Sequence, residues 1–377
     1  MSDRHLHIVS FAIPYPANYG GVIDVFYKLK ALHALGIRIH LHCFAYKRQP
    51  APELRRYCES IDYYDRHTGL AAALTLKPYI IASRRSPELL ARLLLDDYPV
   101  LFEGLHSCYY LGHAALRGRM LIYRESNIEH IYYAHLARAE NNLLNAAYFL
   151  LASLKLRMFQ PMLKYATKML VVSETDRRYL AEKFPGKAII HIPSFHPCNA
   201  VSSLPGRGTY ALYHGNLSVP ENAKAAAYLV KNVFDSDAYP LVIAGLNPPP
   251  QLQKLIQGKK HIRLVPNPGQ AEMEILVRDA HVNIMVTFQS TGLKLKLLQA
   301  LYNGRFILVN KAMLAGTGLN ELCATAEDAA GLKTSLHELF GRTFETAEIE
   351  KREKIVSVSY SNHQNAALLI AAVFDGR

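Results

Sequence analysis

Lys294 and Lys296 stand directly behind Thr291-Gly292, with Gln299 three residues further on, in the stretch STGLKLKLLQALYNGRFILVN (residues 290–310). Leu295, Leu297, Leu298 and Leu301 would bury on a helix, and Gly304 would close it ahead of the strand-like run at 306–309. Gly292 permits a turn that no β-carbon would tolerate. A helix N-terminus offers free N–H groups and the positive end of the macrodipole, so lysines placed there oppose it unless an anion lies between them. A diphosphate would serve. Lys296 and Gln299 are three apart and share a face, so one can reach phosphate while the other hydrogen-bonds a sugar hydroxyl. The competing reading is an amphipathic surface helix.

Other polar residues fall where strands should end. Gly20-Gly21 lies between the first strand and its helix, where backbone must approach something closely. Glu103-Gly104-Leu105-His106 ends one strand, and Arg124-Glu125-Ser126-Asn127-Ile128-Glu129-His130 ends another. His214-Gly215-Asn216 ends a third. Any one of these could be an ordinary turn or cap. Their joint occurrence at strand ends is the pattern of a ligand site in an open parallel sheet.

The elements that must position them alternate strand and helix. Residues 6–11 read as a strand, a loop follows, 24–35 reads as a helix stopped by Gly36, and 37–43 alternates at period two. That order is a parallel crossover unit. Further strands are expected at 99–103, 120–124, 169–173 and 188–192. The Pro-, Ser- and Gly-rich stretch 193–209 marks a linker. Strands then resume at 210–214, 241–244, 262–265, 282–286 and 306–309, and a helix is expected over 361–374. Two α/β halves joined by a hinge follow, with domains at 1–195 and 209–358, a linker at 196–208, and a C-terminal helical segment at 359–377 that can pack back on the first half.

The chain has 377 residues, half of them hydrophobic and a fifth charged, which suits a globular protein of about two domains. No apolar run approaches the roughly 20 residues that span a bilayer, and residues 1–7 lack the long apolar segment of a signal peptide. Five scattered cysteines without a CxxC pair predict free thiols in a reducing cytoplasm. A net charge of +12 implies an anionic partner, while the absence of zinc-finger spacing and RNA-binding sheet motifs argues against nucleic acid. The first loop lacks GxGxxG, which argues against a dehydrogenase. No Asp-x-Asp metal motif occurs, and Asp96-Asp97 reads as a solvated turn.

Four stretches resemble one family in matching order along nearly the whole chain. GLKLKLLQALYNGRFILV resembles the nucleotide-binding segment of family-4-type (group 1) glycosyltransferases of the GT-B fold. PYPANYGGVIDVFYKLKALHALGIRIHLHCF resembles their N-terminal glycine loop and first crossover, YRESNIEHIYY an acceptor-domain segment, and MLVVSETDRRYL the last strand and helix of the N-terminal domain. The resemblance implies an α/β protein of two Rossmann-like domains facing each other across a cleft. It implies that Gly20 and Gly21 approach the donor diphosphate from one side, and that Lys294 or Lys296 neutralises it from the other. Gln299 and Thr291 stand where the family usually has acidic residues, for the ribose and the transferred sugar respectively. Ser126 stands where a histidine is common, leaving His106 or His130 near the acceptor. Pro266-Asn267 lies where the fold reads the base.

The expected activity is transfer of a hexose, with retention of configuration, from a nucleotide diphosphate sugar to a hydroxyl of a glycan or lipid-linked glycan. His106 and Lys296 are the expected catalytic residues. The expected donor site comprises Gly20, Gly21, His214, Gly215, Asn216, Pro266, Asn267, Thr291, Gly292, Lys294, Lys296 and Gln299. The expected acceptor site comprises Tyr15, His106, Arg124, Asn127, Glu129 and His130. No cofactor and no metal is expected to be required, with the nucleotide sugar as co-substrate. The rival readings are a sugar-nucleotide epimerase of the same fold and a non-catalytic binding homologue. Basic, apolar stretches at 76–85 and 142–168 suggest an anionic membrane surface, which would place a cytoplasmic protein on the cytoplasmic face of the inner membrane. The competing reading of 142–168 is a core helix interrupted near Pro161.

Overall fold

The computed structural model describes residues 4–140, 142–288 and 295–375, apart from the side chains at 70 and 73. The N-terminal half is built on strands β1 His5–Ser10, β2 Arg38–Ala45, β3 Ser60–Asp65, β4 Val100–Glu103, β5 Leu121–Glu125, β6 Lys168–Val171 and β7 Ala188–His191. They form a seven-stranded sheet in the order β3-β2-β1-β4-β5-β6-β7, and every pairing is parallel. The second half holds β8 Ala211–Asn216, β9 Leu241–Leu246, β10 Ile262–Pro266, β11 Val282–Met285, β12 Phe306–Val309 and β13 Ala324–Thr325. These form a six-stranded parallel sheet in the order β10-β9-β8-β11-β12-β13.

Parallel sheets are covered on both faces, and each sheet here carries two cores. In β1, Leu6 and Ile8 join the core under the helix Gly20–Ala34, whereas Val9 joins the opposite core with Val100 and Phe102 of β4. Strand order reverses between β1 and β4 in the first sheet and between β8 and β11 in the second. Ligands bind beyond the carboxyl ends of strands at such switch points. The loop before Gly20, the turn holding His106, the β8 end at His214 and residues 286–288 after β11 occupy these four strand ends.

The final helix, Asn362–Phe374, buries Ala366, Leu369 and Val373 in the N-terminal core and packs on Gly20–Ala34. The chain therefore crosses between halves twice, and the two crossings are tied together. His196 N–H donates to Asn362 Oδ1 at 3.1 Å, Asn362 Nδ2 donates back to His196 O at 2.7 Å, and His196 Nε2 lies 2.7 Å from Tyr360 O.

One face of β1 and β2 carries histidines in place of aliphatic residues. His5 Nδ1 lies 2.9 Å from His40 Nε2, and His7 Nδ1 lies 2.8 Å from His42 Nε2. His42 Nδ1 meets Tyr64 Oη at 2.8 Å, and His7 Nε2 meets Asp96 Oδ1 at 3.0 Å. Asp96 also accepts from Arg119 Nη2 at 2.8 Å, so it anchors this ladder and is not the solvated turn that its sequence context suggests. Burial brings His7 down to about 4, against the raising effect of Asp96, and holds His42 well below its ordinary value. The unfolded chain takes up protons near pH 6.5 while the folded ladder stays neutral to about pH 4. Its stabilising contribution is complete above pH 6.5 and is lost as pH falls toward 4. Replacing His42 by Gln should flatten the dependence of chemical-denaturation stability between pH 7 and 5 by about 1.4 kcal/mol per pH unit. An unchanged slope would show that the ladder does not resist protonation.

Candidate active site

Two helix N-termini face each other across the cleft between the sheets. The first opens at Gly20: Ile23 N–H bonds to Tyr19 O at 3.0 Å, and the N–H groups ahead of it have no intrahelical acceptor. The second opens the helix Leu295–Asn303, whose Leu297, Leu298 and Leu301 are buried as their spacing predicts. A β-carbon added at Gly20 would stand 4.0 Å from Leu295 Cδ1, so the side chain of Leu295 reaches toward the start of the first helix. At Gly21 a β-carbon would come within 2.7 Å of the Phe11 ring, which makes glycine the residue that fits there.

On the C-terminal side, Lys296 is the second residue of its helix, and its ammonium lies 5.1 Å from the centre of the Tyr213 ring. His214 follows on β8 and is 4% exposed. Burial, then the charge of Lys296, brings it down to about 3, so it is neutral at pH 7. Its Nε2 is buried without a hydrogen-bond partner. Such an atom costs free energy until a ligand satisfies it. Asn216 shapes the turn: its Oδ1 accepts from Ser218 N–H at 3.1 Å and Oγ at 2.6 Å, and Asn222 Nδ2 donates to its carbonyl at 2.9 Å. A β-carbon at Gly215 would meet the Asn222 side chain at 3.5 Å. Pro266 and Asn267 are exposed at the end of β10, and Asn267 Oδ1 accepts from Asn247 N–H at 2.7 Å. Gln299 is half-buried on the helix of Lys296. Thr291, Gly292 and Lys294 lie outside the described residues.

On the N-terminal side, His106 follows the β4 end, 5.5 Å ring to ring from Phe11. Its Nδ1 is buried, has no hydrogen-bond partner and stands 3.7 Å from Glu129 Oε1. Burial, then Arg84 and Arg66, holds it well below the usual histidine range. Burial pushes Glu129 up to about 8 against the opposing pull of Arg84, so this carboxyl is largely protonated at pH 7. Each half thus holds, at or just past a strand end, one neutral histidine with a buried ring nitrogen that has no hydrogen-bond partner.

Four of the residues expected near an acceptor make contacts within the protein. Arg124 is fully buried, donating to Ile192 O at 2.9 Å and Pro193 O at 3.0 Å and pairing with Asp24 at 3.3 Å. Its side chain holds the linker to the sheet. His130 turns to Tyr179, with Nε2 3.4 Å from the phenol oxygen, and its carbonyl accepts from Ser153 Oγ at 2.6 Å. Tyr15 packs its ring against Phe26 at 5.5 Å. Asn127 donates its backbone N–H to Glu125 Oε1 at 3.2 Å.

Two buried groups of the site escape sequence reasoning. Arg84, brought down to about 9 by burial, donates Nε to Phe11 O at 2.8 Å and so fixes the loop ahead of Gly20. Its neighbours Ile80, Ile81, Ala82 and Ser83 are buried as well, so within the stretch 76–85 the middle is interior while Leu76 and Arg85 stay at the surface. Glu221, in the first turn of the helix Pro220–Asn232, accepts from Phe288 N–H at 3.2 Å and from the Thr287 hydroxyl. It holds the chain where β11 leaves toward Lys296. That helix packs on Glu129–Ala139, and Tyr132 senses both Glu129 and Glu221, which together with burial push its phenol up to about 12. In sequence Glu221 reads as an ordinary first-turn carboxylate.

No family model matches the chain. An uncharacterised 44.6 kDa protein in the cps region of Klebsiella pneumoniae is 25% identical over 334 residues, covering 83% of this chain and 84% of that protein. Among solved structures, sucrose-phosphate synthase from Thermosynechococcus elongatus superimposes with a TM-score of 0.71 at 13% identity, covering 97% of each chain. Anabaena HepE in complex with UDP and glucose gives 0.66 at 10% identity, over 98% of this chain and 99% of that one. An S. aureus TarM variant in complex with fondaparinux, α-GlcNAc-glycerol and UDP gives 0.65 at 10% identity, over 99% and 100%. The two parallel-sheet domains and the cleft between their switch points are those of the GT-B glycosyltransferases, and the chain has that fold.

Proposed function

We propose that the protein is a retaining glycosyltransferase that moves a sugar from a nucleoside diphosphate sugar to a hydroxyl of a glycan or lipid-linked glycan in the cytoplasm. The observation that carries this reading is the approach of Leu295, in the first turn of the Lys296 helix, to the helix that opens at Gly20. Two sets of N–H groups and an ammonium converge where a diphosphate would sit. Gln299, on the same helix, then faces the ribose, and the β10 end at Pro266-Asn267 the base. HepE and TarM, whose folds this chain shares, were each solved with UDP. The Klebsiella relative's cps-region location fits a role in polysaccharide assembly.

In the reaction the bond from C1 of the sugar to the phosphate oxygen breaks, and its electron pair leaves with the diphosphate. The acceptor oxygen forms the new bond on the same face, and its proton passes to the departing phosphate. Lys296 and the N–H groups stabilise the charge that develops there, in a cleft where they need no reorganisation. This charge balance requires no metal. His106, held neutral, is a hydrogen-bond acceptor more than a base, and its unsatisfied Nδ1 can orient the acceptor hydroxyl. Glu129 in its protonated form can donate to a sugar oxygen.

Nucleotide release from UDP-, GDP-, ADP- and dTDP-sugars, with and without a glycan acceptor, tests this. The expected result is release from one donor class, accelerated by acceptor. Interconversion of the sugar without release would make the protein an epimerase, and binding without turnover an inactive homologue.

A further inference from the structure

The helix Leu143–Phe159 turns its apolar residues outward. Only Ser153 and Leu156 are buried, whereas Leu143 is 85% and Met158 78% exposed, with Leu144, Leu150, Leu151 and Leu154 more than half exposed beside them. Beside this helix runs the segment around Thr75, where Leu76 is 95% and Leu74 84% exposed. Lys155 Nζ donates to Thr75 O at 3.0 Å, so the two sets of side chains belong to one surface. Isolated exposed leucines are ordinary, but a contiguous patch of this kind on a folded chain marks something that covers it.

Charge identifies the occupant. Residues 142–168 contain Lys155, Arg157 and Lys164, besides Lys168 bonded to Ala372 O, and residues 66–85 contain Arg66, Lys77 and Arg85, besides the buried Arg84; neither stretch contains a carboxylate. An apolar face rimmed mainly by cations, with Glu140 the carboxylate at the head of the helix, matches the acyl boundary and headgroups of an anionic bilayer. A second copy would bring the same cations against each other. Among the described residues no helix is long and apolar enough to cross a membrane, so contact would be made in the plane of the interface. The rear of the patch leads into the cleft wall: Ser153 Oγ donates to His130 O at 2.6 Å, and the Phe149 ring meets Tyr133 at 6.0 Å, on the helix that begins with Glu129.

We infer that this face lies on an anionic lipid surface, which presents a membrane-borne acceptor to the His106–Glu129 side of the cleft. The acceptor clause rests on the transferase reading above; the surface itself does not. Flotation with phosphatidylglycerol-containing and pure phosphatidylcholine vesicles tests it without any turnover, using the full chain and Leu144→Ser/Met158→Ser, whose side chains are exposed and whose fold should be unchanged. The wild type should float with the acidic vesicles only, and more weakly as salt rises. The double variant should lose about tenfold or more in bound fraction while releasing nucleotide to a water-soluble acceptor as before. No flotation at low salt, equal binding to neutral vesicles, undiminished binding of the double variant, or a wild-type dimer that the variant dissociates would each overturn the inference. If flotation succeeds where nucleotide release fails, the surface stands and the transferase reading falls.

Discussion

Lys296→Ala should lower kcat by about a hundredfold, a loss of roughly 3 kcal/mol of transition-state stabilisation, while weakening donor binding far less. The reason is where the charge sits in time. A bound nucleotide sugar already carries negative charge near the helix start, but that charge grows only as the sugar leaves. An ammonium next to the departing oxygen therefore acts mainly in the transition state and shows in kcat more than in KM. Lys296 is well placed for this because it stands in the first turn of its helix, flanked by the Tyr213 ring and neutral His214. Gln299→Ala is the contrasting variant. A ribose contact persists throughout the reaction, so its loss should raise the donor KM and leave kcat nearly unchanged. Steady-state kinetics on the two variants check both statements. Wild-type kcat and KM in Lys296→Ala would remove the phosphate assignment.

Lys28→Met should cost roughly 3–5 kcal/mol of stability, read as a shift in the denaturant midpoint. Lys28 is wholly buried beneath the glycine loop, 2.8 Å from Asp24 Oδ2 and 2.6 Å from Glu103 Oε1. Asp24 also accepts from Phe195 N–H at 2.7 Å and pairs with Arg124. The two basic neighbours hold Asp24 below the usual carboxylate range, while burial pushes Glu103 up despite Lys28. Methionine fills the volume but leaves Glu103 buried without its cation, and breaking a buried pair from one side is the expensive direction. The network joins the Gly20–Ala34 helix, the β4 end that carries His106, and the linker at Pro193–Phe195 in one unit. A variant as stable as the wild type would show that these charges do not hold that unit together.

Strand positions were legible because parallel strands buried on both faces write continuous apolar runs, and the strands at 188–191 and 306–309 begin where the sequence reading places them. β3 was not legible, since SIDYYD on a sheet edge mixes charged and aromatic residues without a clean period. Polar residues at strand ends marked the site, but type alone does not say which way a side chain points. Arg124 and Glu125 are neighbours on β5 and project from opposite faces, so one is spent on the linker while the other turns to Tyr123, 2.6 Å away. The apolar stretch 142–168 has the same composition whether its leucines face a core or a bilayer. Only the packing separates a buried face from an exposed one, and it buries Leu156 and Leu163 while leaving Leu143, Leu144, Leu150, Leu151 and Leu154 outside.

The most direct test of the account is a structure of the protein bound to whichever nucleoside diphosphate raises its melting temperature most. The diphosphate should lie between the N–H groups at Gly20-Gly21 and the start of the helix Leu295–Asn303, with the Lys296 ammonium within hydrogen-bond reach of a phosphate oxygen. A nucleotide bound away from both helix starts, or Lys296 turned from it, would contradict the account.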